Sequence, residues 1–206
     1  PPVSTNTSLQ RVVISGGGTG GHIHPALAIA DEIIRRHPEC DIQFVGAIGR
    51  MEMEKVPLAG YPITGLWITG IDRNWKSLRN LLFPFKLIHS LIHANRLIRK
   101  WKPQIAIGVG GFASGPLLQR ASVKKIPTLI QEQNSFPGIT NRILAKRVDR
   151  ICAGFPGLDR WFPADRILET GNPLRQRVAA LANTMEDEEL NRARVHFGFD
   201  ENRPLV

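Results

Sequence analysis

The chain has 206 residues, 42% hydrophobic and 22% charged, enough apolar material for one large domain or one and a half ordinary ones. With 19 glycines and 15 prolines it is neither fibrous nor low in complexity, and no stretch reaches the roughly 18–20 apolar residues of a membrane span. The net charge of +9 has one source: no Asp or Glu stands between Asp72 and Glu132, a stretch that holds eleven Lys and Arg. Without those eleven, basic residues no longer outnumber the eighteen acidic ones. A field so localised implies a polyanionic partner, whether nucleic acid, anionic lipid or a phosphorylated substrate.

Taken in order, the chain opens on Pro1–Gln10, which lacks the basic and apolar regions of a signal peptide. Short β-branched runs then alternate with helical patterns. Arg11–Ser15, Asp41–Val45, Gln104–Val109, Thr128–Gln131, Arg150–Ala153 and Ile167–Glu169 read as buried strands. Pro25–Arg36, Met51–Leu58, Leu78–Trp101, Pro116–Lys124 and Gly138–Arg147 read as helices, with Pro25 in a first turn. His37-Pro38 and Lys102-Pro103 close two of them. The strands are continuous rather than alternating in polarity, as parallel strands covered on both faces are. The expected fold class is α/β, a Rossmann-like doubly wound and mostly parallel sheet over residues 1–171. From about residue 172 the chain reads as a linker, with a helical pattern at Thr184–Arg194 and a further strand opening at Arg203–Val206. Cys40 and Cys152 form no CxxC or metal pattern; both read as core thiols, which suits a reducing cytosol.

The motifs sit after strands. GGGTGGH, Gly16 to His22, follows the first strand and precedes a helix, so backbone N–H groups and the positive helix end can meet a phosphate or diphosphate. A purely geometric turn seldom needs five glycines. The same residues satisfy G-x-G-x-x-G, but the second strand carries no acid at its end, and the first one beyond is Glu52. A nicotinamide site is therefore disfavoured. No Gly-Lys-Ser/Thr follows, which removes a P-loop. Gly108–Pro116 repeats the strand–glycine loop–helix arrangement, and Gln131-Glu132-Gln133-Asn134 forms a third loop at the same sheet edge. His22 is a candidate general base beside these loops, with Glu132 the competing carboxylate and His24 structural.

The stretch Trp75–Trp101 interleaves large apolar and basic residues, as does a helix resting among lipid headgroups. Trp75, Leu82, Phe83 and Phe85 are the expected membrane contacts. Ile88, Leu91, Ile92 and Ile98, at helical spacing, are expected to face the sheet instead.

GGGTGGH, GGFASGP, the QEQN loop and Gly171-Asn172-Pro173-Leu174-Arg175 together resemble the MurG family of glycosyltransferases, over about Arg11 to Arg177. The resemblance implies the amino-terminal domain of a two-domain GT-B enzyme on the cytoplasmic face of the bacterial plasma membrane. Such an enzyme moves N-acetylglucosamine from UDP-N-acetylglucosamine to lipid I, giving lipid II, with inversion. By motif, Thr19, Gly20, Gly21, Asn134 and Arg175 would touch the donor, and His22 and Glu132 would be catalytic. Gly18, Gly110, Gly111, Ser114 and Gly115 would hold the acceptor's diphosphate. Phe112 and Gln131 depart from the Tyr and His common in the family. No cofactor, no metal and no nucleic acid are implied. The rival readings are a GT-B transferase for another acceptor, an NAD-dependent oxidoreductase, and a basic module that binds nucleic acid or lipid.

Overall fold

A computed structural model describes residues 8–70, 78–175, 192 and 194–198. Trp75, Arg203–Val206 and most of Thr184–Arg194 lie outside the described residues.

Among the described residues seven parallel strands form one sheet in the order β3-β2-β1-β4-β5-β6-β7. They are β1 (Arg11–Ser15), β2 (Asp41–Ala47), β3 (Ile63–Leu66), β4 (Ile105–Gly108), β5 (Thr128–Glu132), β6 (Arg150–Ala153) and β7 (Ile167–Glu169). Among the described residues six α-helices join them, α1 (Gly20–Arg36), α2 (Glu52–Leu58), α3 (Leu78–Leu81), α4 (Phe83–Trp101), α5 (Ser114–Val123) and α6 (Ile139–Leu144), with two short 3-10 turns between β6 and β7. The six strands expected between Arg11 and Glu169 are present. β3 is additional.

The alternation of side chains along β1 separates two cores. Val12 and Ile14 face α1 and α2, packing with Ile23, Leu27, Phe44 and Val56. Val13 faces the other way, into a cluster with Ala94, Ile98, Leu117, Leu118 and Leu144 from α4, α5 and α6. A strand apolar on both faces needs helices on both faces, and the doubly wound sheet follows.

α1 begins five residues earlier than expected, because the glycines of the motif are themselves helical. Pro25 therefore falls in the second turn, where the N–H it lacks would have bonded the Gly21 carbonyl. The two X-Pro helix ends hold: His37 and Lys102 are the C-caps of α1 and α4.

α4 departs most from expectation. Its inward stripe is Ser90, Ala94 and Ile98, spaced by four, and Ser90 Oγ donates to the Trp67 carbonyl at 2.9 Å. Small residues let the helix approach the sheet closely. Ile88 and Ile92, expected to face the sheet, are 57% and 47% exposed. Phe83, expected at a membrane, is half-buried and packs on the core. Leu81, Leu82, Phe85, Ile88 and Ile92 thus form one exposed apolar stripe along α3 and α4. No helix among the described residues is long and apolar enough to cross a membrane.

The chain divides into two compact units, Pro1–Pro173 and Leu174–Val206. Both cysteines are free; Cys40 is buried, Cys152 half-buried, and burial pushes both thiols above their ordinary range.

Candidate functional site

β1 has β2 on one side and β4 on the other, so the chain's winding reverses between β1 and β4. Open α/β sheets bind ligands at that switch, outside the carboxyl ends of the strands. The loops Gly16–Thr19 and Val109–Ala113 leave those two strand ends, and they interlock. Gly17 donates its N–H to the Gly110 carbonyl at 3.3 Å, and Val109 donates to Ser15 at 2.7 Å. Gly110 and Gly111 have φ of 103° and 91°, a region that L side chains avoid. A β-carbon on Gly110 would stand 2.6 Å from the His22 ring, and one on Gly111 would stand 2.5 Å from the Gly17 carbonyl oxygen. These two glycines are needed for close contact between the loops.

His22 lies in the first turn of α1, half-buried, with its ring against Gly110. Its Nδ1 is 3.0 Å from the Gly17 carbonyl oxygen, which can only accept, so Nδ1 carries the proton and donates. Among the described residues nothing is bonded to Nε2, which leaves its lone pair to receive a proton. The Thr19 hydroxyl lies 3.3 Å from the same Nδ1. Thr19 and Gly21 are exposed and Gly20 partly so, at the start of a 17-residue helix whose first N–H groups have no partner within the helix.

Two of the residues expected to hold a diphosphate are otherwise engaged. Gly18 donates its N–H to Glu52 Oε2 at 2.8 Å. Ser114 is fully buried, and its hydroxyl is directed at the carbonyls of Gly110 (2.9 Å) and Ser15 (3.0 Å). Its side chain fastens α5 to the two loops and does not reach a ligand. Gly115, by contrast, is partly exposed in the first turn of α5, with room around its α-carbon.

Glu132 is 1% exposed and its carboxylate is saturated. Oε1 accepts from the backbone N–H and side-chain amide of Asn134, each at 3.0 Å. Oε2 accepts from Gly138 N–H at 3.1 Å and from Asn141 Nδ2 at 2.9 Å. Four donors fill the four acceptor sites of a carboxylate, leaving none for a substrate hydroxyl. Glu132 holds exposed Asn134 in place and is not disposed to act as a base. Gln131 and Gln133 are bonded to each other, and Asn172 braces both, accepting from Gln131 Nε2 at 3.2 Å and donating to the Gln133 carbonyl at 3.1 Å. Phe112 lies over Gly70. Arg175 belongs to the second unit.

Sequence reasoning passed over Glu52, noted only as too distant to serve a ribose. It is 1% exposed and bonds both Gly18 and Ala47. Asn141, in α6, was also missed. The clue for Glu52 was an acid within a helix that follows Gly46, a glycine at the strand's end.

Residues 12–153 match the glycosyltransferase family 28 N-terminal domain. The chain belongs to glycosyltransferase family 28. The resemblance to MurG holds among relatives as well. A Christiangramia forsetii protein is 59% identical over 86% of this chain and 48% of its own length, and one from Cytophaga hutchinsonii is 56% identical over 82% and 45%. Both are named UDP-N-acetylglucosamine–N-acetylmuramyl-(pentapeptide) pyrophosphoryl-undecaprenol N-acetylglucosamine transferase. The crystal structure of Acinetobacter baumannii MurG superimposes with a TM-score of 0.68 at 30% identity, over 80% of this chain and 46% of that one. This family 28 chain spans about half the length of these relatives, and its fold is that of the amino-terminal Rossmann-like domain of a GT-B glycosyltransferase.

Proposed function

We propose that this family 28 domain is the acceptor-side half of an inverting transferase that moves N-acetylglucosamine from UDP-N-acetylglucosamine to the muramyl 4-hydroxyl of lipid I, forming lipid II. The observation that carries the reading is the free Nε2 of His22, held at the sheet's switch point between two glycine loops. The names of relatives 56–59% identical supply the substrates.

In this reading the 4-hydroxyl attacks the anomeric carbon while Nε2 of His22 takes its proton, and UDP leaves with inversion. Thr19, Gly20, Gly21 and Asn134 line the donor side; Arg175, also expected to touch the donor, belongs to the second unit. The acceptor's diphosphate meets the loop at Gly110 and Gly111 and the first turn of α5 at Gly115, since the Gly18 N–H and the Ser114 hydroxyl are already bonded. Residues 172–206 lead into a donor-binding domain. The test is a transfer assay on the enzyme extended to the length of its relatives, with labelled donor and a short-prenyl lipid I analogue. Inverted β-linked product is expected. Labelled product from residues 1–206 alone would overturn the idea that the site needs a second domain.

The same reading places the domain peripherally at the cytoplasmic face of the plasma membrane. The exposed stripe Leu82, Phe85 and Ile88 supports it, together with the basic stretch that surrounds it in sequence. Lys86, on the same helix, lies 5.6 Å from the Trp67 ring centre and donates to Thr69 Oγ1 at 3.2 Å. Binding to phosphatidylglycerol vesicles should fall as salt rises, each Lys or Arg near the surface contributing about 1 kcal/mol at low salt. Replacing Leu82, Phe85 and Ile88 with Ser should abolish the salt-resistant remainder, measured by co-sedimentation. Phe83→Ser should lower folding stability instead. Equal partitioning of the triple variant and the parent would remove the membrane contact from this stripe.

A further inference from the structure

Glu52 poses a question that the transfer reading leaves open. It is a buried carboxylate, and among the described residues no Lys, Arg or His forms an ion pair with it. Burying an unpaired charge is costly, and such a group persists where it serves a site. The fold makes room for it at two glycines. A β-carbon on Gly17 would stand 2.2 Å from Glu52 Cδ, and one on Gly46 would stand 2.6 Å from Cγ. Its Oε1 accepts the Ala47 N–H at 2.9 Å, which fixes the carboxylate to the end of β2.

Its other oxygen accepts the Gly18 N–H at 2.8 Å. That N–H belongs to the peptide group between Gly17 and Gly18. The carbonyl of the same peptide group is the acceptor for His22 Nδ1, at 3.0 Å. The connection is therefore continuous: carboxylate, peptide N–H, peptide carbonyl, imidazole N–H. A negative acceptor on the N–H draws the peptide's electrons toward its carbonyl oxygen and strengthens that oxygen as an acceptor. A stronger acceptor at Nδ1 fixes the ring and tautomer that leave Nε2 as the base.

We propose that Glu52 is a positioning residue for His22, acting through the Gly17–Gly18 peptide. The arrangement resembles the carboxylate that orients a catalytic histidine in hydrolases, with one peptide group inserted between the two side chains. No proton crosses the peptide. When Nε2 takes a proton, the proton on Nδ1 stays on Nδ1, Glu52 remains a carboxylate, and the positive charge on the ring is met by the polarised carbonyl. The inference rests on His22 being the base, but its first test does not need turnover.

Nitrogen-15 NMR of histidine-labelled protein, with the His22 signals assigned by loss in His22→Gln, reads the tautomer directly. Above the pH at which the ring becomes neutral, His22 should carry its proton on Nδ1. In Glu52→Gln, which keeps the size but loses the charge, the Nδ1–H form should give way to a mixture with Nε2–H. A parent protein with the proton on Nε2 would overturn the proposal whether or not any variant folds. So would a folded Glu52→Gln with an unchanged tautomer. Glu52→Asp, which keeps the charge but shortens the reach to Gly18, should show an intermediate mixture; a parent-like tautomer there counts against the proposal. In the full-length enzyme, Glu52→Gln should lower kcat about 10- to 100-fold with both KM values within about twofold, as when the partner orienting a reacting imidazole is lost. An unchanged kcat alongside a changed tautomer would show that His22 is not the base, and would count against the transfer reading while leaving the Glu52–His22 coupling in place.

Discussion

In the enzyme extended to the length of its relatives, His22→Ala should lower kcat about 10²–10⁴-fold, the usual contribution of a positioned general base. The donor KM should change little, because Thr19, Gly20 and Gly21 keep their place at the start of α1 and rely on backbone N–H groups. Thermal stability should fall only modestly, by about 1 kcal/mol: His22 is half-buried, and the change removes one hydrogen bond to the Gly17 carbonyl. His22→Gln is the informative companion, since its amide can still donate to Gly17 but offers no basic nitrogen. It should be as slow as His22→Ala. Near-parent kcat with a lowered melting temperature in either variant would make His22 a structural cap.

Glu132 should give the opposite pattern. Glu132→Ala strands four donors, the Asn134 and Gly138 N–H groups and the amides of Asn134 and Asn141, around a site that is 1% exposed. Each unmet buried donor costs about 1–3 kcal/mol, and water entering the cavity will recover part of this. A net loss of roughly 3 kcal/mol is expected, or about 6–12 °C in Tm for a domain of this size. Glu132→Gln keeps the shape but turns one acceptor into a donor facing two donors, so it should lose about half as much. Any loss of activity should appear chiefly in donor KM, through the freed Asn134. Unchanged Tm together with a kcat loss exceeding that of His22→Ala would restore Glu132 as the base.

The sheet was legible because its strands are apolar on both faces. Val12, Val13 and Ile14 leave no alternative to a covered parallel strand, and the glycine loops mark the ends of β1 and β4. β3 was missed because Ile63–Leu66 has four residues, one of them glycine, and only Leu66 is fully buried. The face of α4 was legible only in part: of the residues whose helical spacing pointed to the sheet, Ile98 is buried, but Ile88 and Ile92 are not. The stripe that touches the sheet is Ser90, Ala94 and Ile98, chosen for closeness, and the larger Ile88 and Ile92 point away. At the site, residue type marked His22 and Glu132 alike as candidates but not the difference between their surroundings. That difference lies in the count of hydrogen bonds on each side chain. Glu52 was illegible because it meets His22 only through β1–β2 pairing and a peptide group 34 residues away in sequence.

The placing of β1 between β2 and β4 also has a consequence for the chain during synthesis. Val12 pairs with Ile105, about ninety residues later, and the loops that flank His22 cannot meet until both strands exist. At roughly 5–20 residues per second, one edge of a strand as apolar as Val12-Val13-Ile14 stays open for about 5–20 s after it leaves the ribosome. Through that interval β1 and β2 can form a parallel pair with helices on only one face, while Val13 and Val45 wait for α4 and α5. The nascent chain is then a half-covered sheet with an unpaired edge, the state most open to pairing with a neighbour on the same messenger and most in need of a chaperone. Synonymous codons that slow translation between residues 48 and 104 would lengthen that exposure without altering a single side chain of the finished protein.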